Sequence, residues 1–272
     1  MEEYFHVAAL APAVPRASWS GRQSRVESNT ERLLAILEAR RIRGTFFVLG
    51  WLAERQPSLV RRIAGAGHEV ACHGFSHELI YRQSPGTFRE EARRAKAVLE
   101  QTLGQPVIGH RAASFSITRD SLWALDVLID LGFAYDSSIY PIRHDRYGIP
   151  GAASRPGRVT APSGRTLVEF PLSAASFLGL DVPVSGGGYF RIFPYWVSAT
   201  GLRQVNSRRG PFAFYMHPWE IDPQQPRIEA GPLARFRHYT GLERCERRLE
   251  RLLGEFRFGR MADVLRGCAL LG

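Results

Sequence analysis

The sequence predicts an α/β fold, built from parallel βαβ units with loop insertions and a C-terminal helical extension. Three features of its 272 residues lead to this expectation. Short apolar runs alternate with amphipathic helical patterns over 25–132, which is typical of parallel βαβ units. The stretch 141–183 is rich in Gly and Pro and carries no long helical pattern. The stretch 232–256 has the spacing of a long helix laced with Arg and Glu.

The strand–helix alternation fits an open sheet as well as a barrel, and in both folds site residues gather at the C-terminal ends of the strands. Residues 1–140 form the core that holds this alternation. Residues 141–272 are either a separate domain or the part that closes the barrel and adds the extension. We prefer the closing part, because a candidate site residue, His217, lies within it.

In the first half, β-rich runs bounded by glycines or turns predict strands, and apolar residues at helical spacing predict helices. The predicted strands are 44–49, 68–72, 107–109 and 133–135. The predicted helices are 30–41, 51–66, 85–103 and 118–131. Ser84-Pro85 and Thr118 supply start signals, a proline at an early helical position and a capping hydroxyl.

In the second half, the same criteria predict a loop at 185–189 and a helix over 194–206. They also predict a strand over 212–216, which ends at His217, and a single helix over 232–256.

The formal net charge is +10, and because Lys96 is the only lysine the positive charge is nearly all Arg. The arginines are scattered at helical spacing, which favours a solvated surface over a nucleic-acid site; an anionic carbohydrate partner is compatible with this charge. No apolar run reaches the about 18–20 residues of a membrane span, and the N-terminus lacks the basic start of a signal peptide. We therefore expect a cytoplasmic protein with no nucleic-acid partner and no stable membrane insertion.

The three cysteines, Cys72, Cys245 and Cys268, have no paired spacing. They form neither a CxxC motif nor an even-numbered disulfide framework, which favours free buried thiols. Cys72 adjoins His73, but its side chain would point to the opposite face of a strand. We therefore do not expect it to be a metal ligand.

The segment His73-Gly74-Phe75-Ser76-His77 follows a predicted strand directly. An i, i+4 pair of imidazoles on one helical turn suits Zn²⁺ or a similar divalent ion. Gly74 stands where a zincin has Glu, so the segment is not an HExxH motif. The spacing alone also fits two ordinary loop histidines; the position at a strand end favours the metal site.

Three more polar residues follow predicted strands. Arg111 is able to orient a carboxylate by a bidentate pair, or to form a surface salt bridge. Asp136 is able to tune a neighbouring histidine or to cap a turn. His217, at the end of an apolar strand in His-Pro-Trp-Glu, fits a general acid better than a core histidine.

These stretches together resemble the polysaccharide deacetylase family (NodB homology, carbohydrate esterase family 4). The resemblance is strongest to a subgroup tied to bacterial exopolysaccharide and exosortase loci, which adds a C-terminal extension. For the fold, the resemblance implies a distorted (β/α) barrel of about seven strands with loop insertions and a C-terminal helical extension. The segments that carry the resemblance are EEYFHV, RVESNTERLL, GTFFVLGW, HEVACHGFSH, RAASFSIT, YDSSIYPIRHDRYGIPGA and FYMHPWEIDPQQPR.

Two departures from the family pattern stand out. Ala113 replaces the proline of the third motif, Arg-Ala-Pro, which removes no chemical group. Met1 stands where the family has Val, directly after the Asp that serves as general base. We expect the true start to lie upstream, with that Asp; a truncated, inactive relative is the alternative. The DNA before the first codon tests this expectation.

The resemblance implies hydrolysis of N-acetyl groups on an amino-sugar polysaccharide or a lipid-linked oligosaccharide precursor. It implies a divalent metal, Zn²⁺ or alternatively Co²⁺, held by His73, His77 and Glu2, with Glu3 competing for the third place. By the same resemblance Arg111 orients the base, His217 is the general acid, and Asp136 adjusts the pKa of His217.

Several further side chains have two interpretations. Trp219, Tyr189 and Phe115 are candidates to stack on sugar rings, although ordinary packing also accounts for them. Three other histidines, His6, His110 and His144, are expected near the site mouth. The rival functions are an allantoinase-like amidohydrolase on the same scaffold and an inactive carbohydrate-binding relative.

Overall fold

The computed structural model describes residues 1–272 apart from the side chain of Arg209. Its strands are Thr45–Val48 (β1), Glu69–Cys72 (β2), Gly109–His110 (β3), Tyr135–Asp136 (β4), Gly157–Thr160 (β5), Thr166–Glu169 (β6), Ala174–Phe177 (β7) and Leu180–Pro183 (β8). Its α-helices in the first half are Val26–Ala39 (α1), Gly50–Arg55 (α2), Pro57–Gly65 (α3), Pro85–Leu103 (α4) and Trp123–Asp130 (α5). Those in the second half are Gly187–Ile192 (α6), Tyr195–Arg209 (α7), Pro232–Tyr239 (α8), Leu242–Glu255 (α9) and Met261–Gly267 (α10).

The centre of the molecule is a six-stranded sheet in the order β1-β2-β3-β4-β6-β5. All neighbours pair in parallel except β5, which runs antiparallel to β6. One row of paired residues crosses the C-terminal edge of the sheet: Val48, Cys72, His110, Asp136 and Glu169. The residues that follow these strands therefore meet at one edge, as expected for parallel α/β proteins.

Side chains of the sheet alternate between two apolar cores because successive strand residues face opposite sides. Val48 packs with the apolar faces of α2 to α5, including Leu59 and Leu99. Its neighbour Phe47 packs on the other side, with Phe170 and Leu265 of α10. Helix–sheet–helix layering of this kind confirms the predicted α/β class.

The two halves of the chain share their cores. Leu33 and Ile36 of α1 pack against Leu249 and Leu252 of α9 in a third cluster, and 141–272 therefore does not form a core of its own in this region. A separate β7–β8 hairpin lies outside the main sheet. In the described chain the main sheet has six strands rather than about seven.

Met1 lies beside the outer edge of β1. Its ammonium donates to the carbonyl of Phe47, and the Leu49 amide donates to the carbonyl of Met1 at 3.5 Å. This bond pattern is that of a parallel neighbour. It brings Glu2 to the same sheet edge as the residues that follow β2.

Several predicted boundaries are corrected. The helix predicted at 51–66 is two helices, because Pro57 begins a new one after Gln56 leaves helical geometry. The helix predicted at 232–256 is also two, separated at Gly241, whose φ is 77°. The strand predicted at 212–216 makes only a single bridge, from Tyr215 to Gly186. By contrast, Ser84 caps α4 as predicted.

No helix of the described chain combines the length and apolarity needed to cross a bilayer.

Candidate metal centre and active site

His73 and His77 lie in the turn after β2, not on a helix as their spacing suggested. Gly74 (φ 74°) and His77 (φ 55°) both adopt left-handed backbone, which brings the two ring centroids to 5.4 Å. His73 Nδ1 donates to the carbonyl of Arg111 at 2.7 Å. Since that bond holds the ring proton on Nδ1, the opposite nitrogen, Nε2, is free to bind a metal.

Glu2 completes a three-residue group with these histidines, and the ligand atoms all lie within 4.8 Å of one another. Glu2 Oε2 is 2.7 Å from His77 Nε2 and 4.0 Å from His73 Nε2. Glu3 faces away, accepting from the hydroxyl of Ser24 and from the Arg25 amide at 3.0 Å. The geometry therefore favours Glu2 over Glu3 as third ligand.

The donor set fits a divalent ion. Glu2 Oε2 is buried and makes no hydrogen bond of acceptable geometry despite its short approach to His77. Burial opposes ionisation of Glu2, but the nearby histidines outweigh it and hold its pKa well below the ordinary value. Burial lowers the pKa of His73 well below its ordinary value, and the Met1 ammonium and His77 add to this. An ionised carboxylate beside neutral imidazole nitrogen is the form that binds Zn²⁺.

Arg111 is buried rather than part of a surface salt bridge. Its Nε and Nη2 donate to the carbonyl and hydroxyl oxygens of Ser137 at 3.0 and 2.8 Å, and its guanidinium lies 4.1 Å from the Phe47 ring centre. Burial lowers the pKa of Arg111 to about 10. No carboxylate of the described side chains forms an ion pair with it, although its position at the sheet edge suits one.

Asp136 does not contact His217, contrary to prediction. It faces the sheet interior, where its Oδ1 accepts from His110 Nδ1 at 2.8 Å, with both side chains fully buried. His110 is therefore a core residue, not one at the site mouth. Alternation along β4 explains the outcome, because a strand residue points to one face and its successor to the other.

His217 follows the Tyr215 bridge, and its ring points toward the metal-binding group. Its Nε2 lies 3.4 Å from Glu2 Oε1. Its Nδ1 lies 3.1 Å from Glu220 Oε2. Glu220 thus occupies the place beside His217 that was predicted for Asp136. The Glu three residues after His217 is a local signal, because a residue at this position reaches back to cap the short 3₁₀ helix Pro218–Ile221.

Arg191 is a second residue that the sequence did not reveal. Its Nε donates to Glu220 Oε1 at 2.7 Å. Arg191 and Glu220 are both almost completely buried. No spacing rule connects two residues so far apart in the chain, and the pairing depends on how α6 packs.

The three predicted sugar-stacking residues differ in exposure. Trp219 is buried between two parallel rings, His217 at 5.1 Å and His238 at 4.3 Å. Phe115 is buried and packs edge-on against Tyr215. These contacts fit the packing interpretation for both. Tyr189 is half-buried, and its hydroxyl lies 3.3 Å from that of Tyr147.

The other two histidines expected near the site mouth, His6 and His144, pack against aromatic rings. His6 is buried against Trp19 and Trp51, with centroid separations of 4.2 and 5.0 Å. His144 is half-buried and stacked on Tyr147 at 3.8 Å.

The cysteines are free, as predicted, but Cys268 is exposed. Cys72 lies in the core, and burial raises its pKa to about 12.

A cavity of about 420 Å³ opens beside the metal-binding group. Glu2, His73, His77 and His217 form one end of it. Apolar side chains, including Phe46 and Phe212, line much of the remainder. The polar groups thus converge at one end of a concave, largely apolar site, the usual form of a small-molecule site.

Two family models match consecutive parts of the chain. Residues 20–135 match the polysaccharide deacetylase model, and residues 137–266 match a domain of unknown function, DUF3473. The first family consists of hydrolases that act on carbon–nitrogen bonds. Residues 20–135 are thus similar to this family, and the stretch that matches DUF3473 corresponds to the predicted C-terminal extension.

Curated relatives include chitooligosaccharide deacetylases from two bacteria. The Bradyrhizobium protein is 33% identical over 99 residues, covering 36% of this chain and 43% of its own length. The Rhizobium leguminosarum bv. trifolii protein is 30% identical over 140 residues, covering 48% of this chain and 62% of its own length. The chain thus matches less than two-thirds of either relative.

Solved structures with similar folds span most of the chain. A Mycobacterium smegmatis protein assigned as a polysaccharide deacetylase has a TM-score of 0.63 and 22% identity, covering 97% of this chain and 88% of its own. The allantoinase PuuE has a TM-score of 0.59 and 18% identity, covering 88% of this chain and 71% of its own. At these identities the likeness establishes the fold alone.

Proposed function

We propose that this protein is a metal-dependent hydrolase that removes N-acetyl groups from an amino-sugar polysaccharide, or from its lipid-linked precursor, in exopolysaccharide biosynthesis. The observation that carries the proposal is the group of Glu2, His73 and His77 facing the Nε2 of His217. The match of residues 20–135 to the polysaccharide deacetylase model and the relatives named as chitooligosaccharide deacetylases support the substrate class. The likeness to the exopolysaccharide subgroup supports the biosynthetic role.

In this proposal Glu2, His73 and His77 hold the ion, and Zn²⁺ is favoured by their nitrogen and oxygen donors. A divalent ion bound there would supply an activated water and polarise the amide carbonyl. Arg111, fixed by Ser137, is placed to orient a general-base carboxylate, but none of the described carboxylates pairs with it, so the group that takes the proton of that water is not assigned within the described residues.

His217 gives the proton that the departing nitrogen needs. As the carbon–nitrogen bond breaks, the nitrogen takes the proton from Nε2 and leaves as the free amine of the sugar, while acetate is the second product. The parallel face of Trp219 limits rotation of the His217 ring during this step.

Acetate release from N-acetylglucosamine oligomers tests the proposal. With a chain extended upstream to carry the Asp of the family pattern, we expect activity that disappears after chelation and returns with Zn²⁺ or Co²⁺, and we expect His77→Ala to lower kcat/KM by at least about a hundredfold. His144→Ala, which removes a histidine outside the metal-binding group, serves as the control and should remain active.

Three results would contradict the proposal. Metal-independent release would exclude the metal role. Tight oligomer binding with no release from the metal-loaded protein would indicate a carbohydrate-binding relative. Hydrolysis of allantoin in place of the oligomers would indicate the allantoinase-like alternative.

A further inference from the structure

A buried ion pair stands directly behind the candidate acid His217. Glu220 is 1% exposed and Arg191 is 2% exposed. One carboxylate oxygen, Oε1, accepts from Arg191 Nε at 2.7 Å. The other, Oε2, accepts from the backbone amide of His217 at 2.8 Å and lies 3.1 Å from its Nδ1. A single carboxylate therefore joins a fixed cation to both the backbone and the ring of His217.

The remaining nitrogens of Arg191 are also bound. Its Nη1 donates to the carbonyl of His238 at 3.0 Å, and its Nη2 donates to the carbonyl of Arg237 at 2.9 Å. These carbonyls belong to the last turn of α8, where the helix dipole favours a cation. The guanidinium is thus locked in one orientation, with Nε directed at Glu220.

Close packing after α8 brings this segment to Arg191. Gly241 has a φ of 77°, and a Cβ at this position would lie 2.4 Å from the carbonyl oxygen of Arg191. Only glycine fits this conformation and this approach. The break between α8 and α9 therefore allows the close contact that places the α8 carbonyls around Arg191.

The ring of His217 is fixed from two directions. Trp219 covers its face at an interplanar angle of 13°. Glu220 binds Nδ1, and a carboxylate at one ring nitrogen holds a proton there and leaves Nε2 to act on the other side. That nitrogen is the one near Glu2, at the mouth of the candidate metal centre.

We propose that Glu220, held by Arg191, is a positioning residue that keeps the His217 ring oriented with Nδ1 protonated, so that Nε2 delivers the proton to the departing nitrogen. This inference rests on the proposed deacetylation. When the carbon–nitrogen bond breaks, the nitrogen takes the Nε2 proton, and the ring is left neutral with its remaining proton on Nδ1, bonded to Glu220. The DUF3473 domain would then supply the acid and its supports to a metal site built largely by the deacetylase domain.

Two substrates separate a positioning role from a merely structural one. An N-acetyl sugar needs protonation of its poor leaving nitrogen, whereas 4-nitrophenyl acetate releases a stable phenolate without it. We expect Glu220→Gln to lower kcat on the amide by about 10²- to 10⁴-fold, with little change in KM. Hydrolysis of the aryl ester should stay within about threefold of the parent protein, because it needs no general acid.

A second variant tests whether misfolding explains the loss of activity in Glu220→Gln. Glu220→Asp retains a charge for Arg191 but shortens the reach to Nδ1, so it should also lose amide activity selectively while melting close to the parent protein. Arg248→Met is the matched control, because Arg248 binds three backbone carbonyls of 190–193 and has no bond to His217. Its effects on the two substrates should be equal.

Equal loss on both substrates in Glu220→Gln and Glu220→Asp, or no loss on the amide, would overturn the proposal. Nitrogen NMR of the His217 ring keeps this failure distinct from failure of the deacetylase assignment, since it needs no turnover. We expect the neutral ring to carry its proton on Nδ1 in the parent protein and to lose this preference in Glu220→Gln. A ring protonated on Nε2 in the parent protein would refute the positioning role even if acetate is released.

Discussion

Glu2 and Glu3 are neighbours in the chain with opposite surroundings. Glu2 lies among three histidine rings, whereas Glu3 accepts from the Arg25 amide at the start of α1. Burial raises the pKa of Glu3, and its hydrogen bonds to Ser24 and Arg25 only partly oppose this. One carboxylate therefore suits metal binding and the other suits the end of a helix.

Paired substitutions distinguish these roles. Glu2→Gln should weaken Zn²⁺ binding by more than about tenfold, because it removes an anionic ligand. Glu3→Gln should leave Zn²⁺ affinity close to that of the parent protein and mainly lower the melting temperature. Calorimetric titration with Zn²⁺ on both variants measures the difference. Equal affinity loss in the two would contradict the assignment of Glu2.

At the residue scale, the sequence could predict the histidine pair, Arg111 and His217 because each follows a predicted strand. It could not predict that Asp136 contacts His110, since that depends on which face of a two-residue strand points inward. Nor could it choose between Glu2 and Glu3, because the choice depends on the parallel contact of Met1 with β1.

At the element scale, helix existence was predictable but helix continuity was not. Apolar spacing continues across the α2–α3 and α8–α9 breaks, so periodicity alone merges each pair. Pro57 and Gly241 mark the breaks, but each residue also occurs at helix ends without breaking a longer pattern. Similarly, 212–216 has the apolar composition of a strand, but most of its side chains pack in the core without pairing.

A substitution in the short strand β3 tests how closely the side chains of the sheet are packed. A Cβ at Gly109 would lie 2.2 Å from the ring of Tyr135, which is fully buried. Gly109→Ala should therefore destabilise the protein by about 1–3 kcal/mol. Gly65→Ala is the control, since a Cβ there meets nothing within 4 Å at the end of α3. Urea unfolding should show loss only in the first variant, and equal stability of both would contradict the close packing.

At the scale of the whole molecule, ion pairs and shared cores tie the two halves together. Arg25, before α1, forms a two-pronged pair with Asp222 at 2.8 and 3.0 Å, just after the Pro218–Ile221 helix. The family models meet near residue 136, yet the packed units cross that boundary. The sequence predicted that the second part contributes to the site, because His217 lies there.

Buried His238 gives the molecule a predictable dependence on pH. Burial lowers the pKa of His238 to about 3, and the nearby Arg191 adds to the effect. The unfolded chain, with a histidine pKa near 6.5, therefore takes up the proton first as pH falls. The contribution of His238 to the free energy of unfolding is therefore fully present above about pH 6.5. It falls between pH 6.5 and pH 3, by up to about 1.4 kcal/mol per pH unit.

Thermal melting at pH 7.5, 6 and 5 measures this effect. His238→Gln, which retains a polar group near Gln225, should show a shallower loss of melting temperature over the same range. A slope identical to that of the parent protein would show that His238 is not the group responsible.

The anchoring of Arg191 by the carbonyls after α8 has a consequence for synthesis on the ribosome. The side chains of the candidate metal centre all emerge within the first part of the chain, by His77. The proton donor His217 emerges much later, and the carbonyls that hold Arg191 later still. A chain that ends before α8 therefore contains the three candidate metal ligands but lacks the carbonyls that hold Arg191. The candidate proton donor is therefore complete only when the second part of the chain has been made.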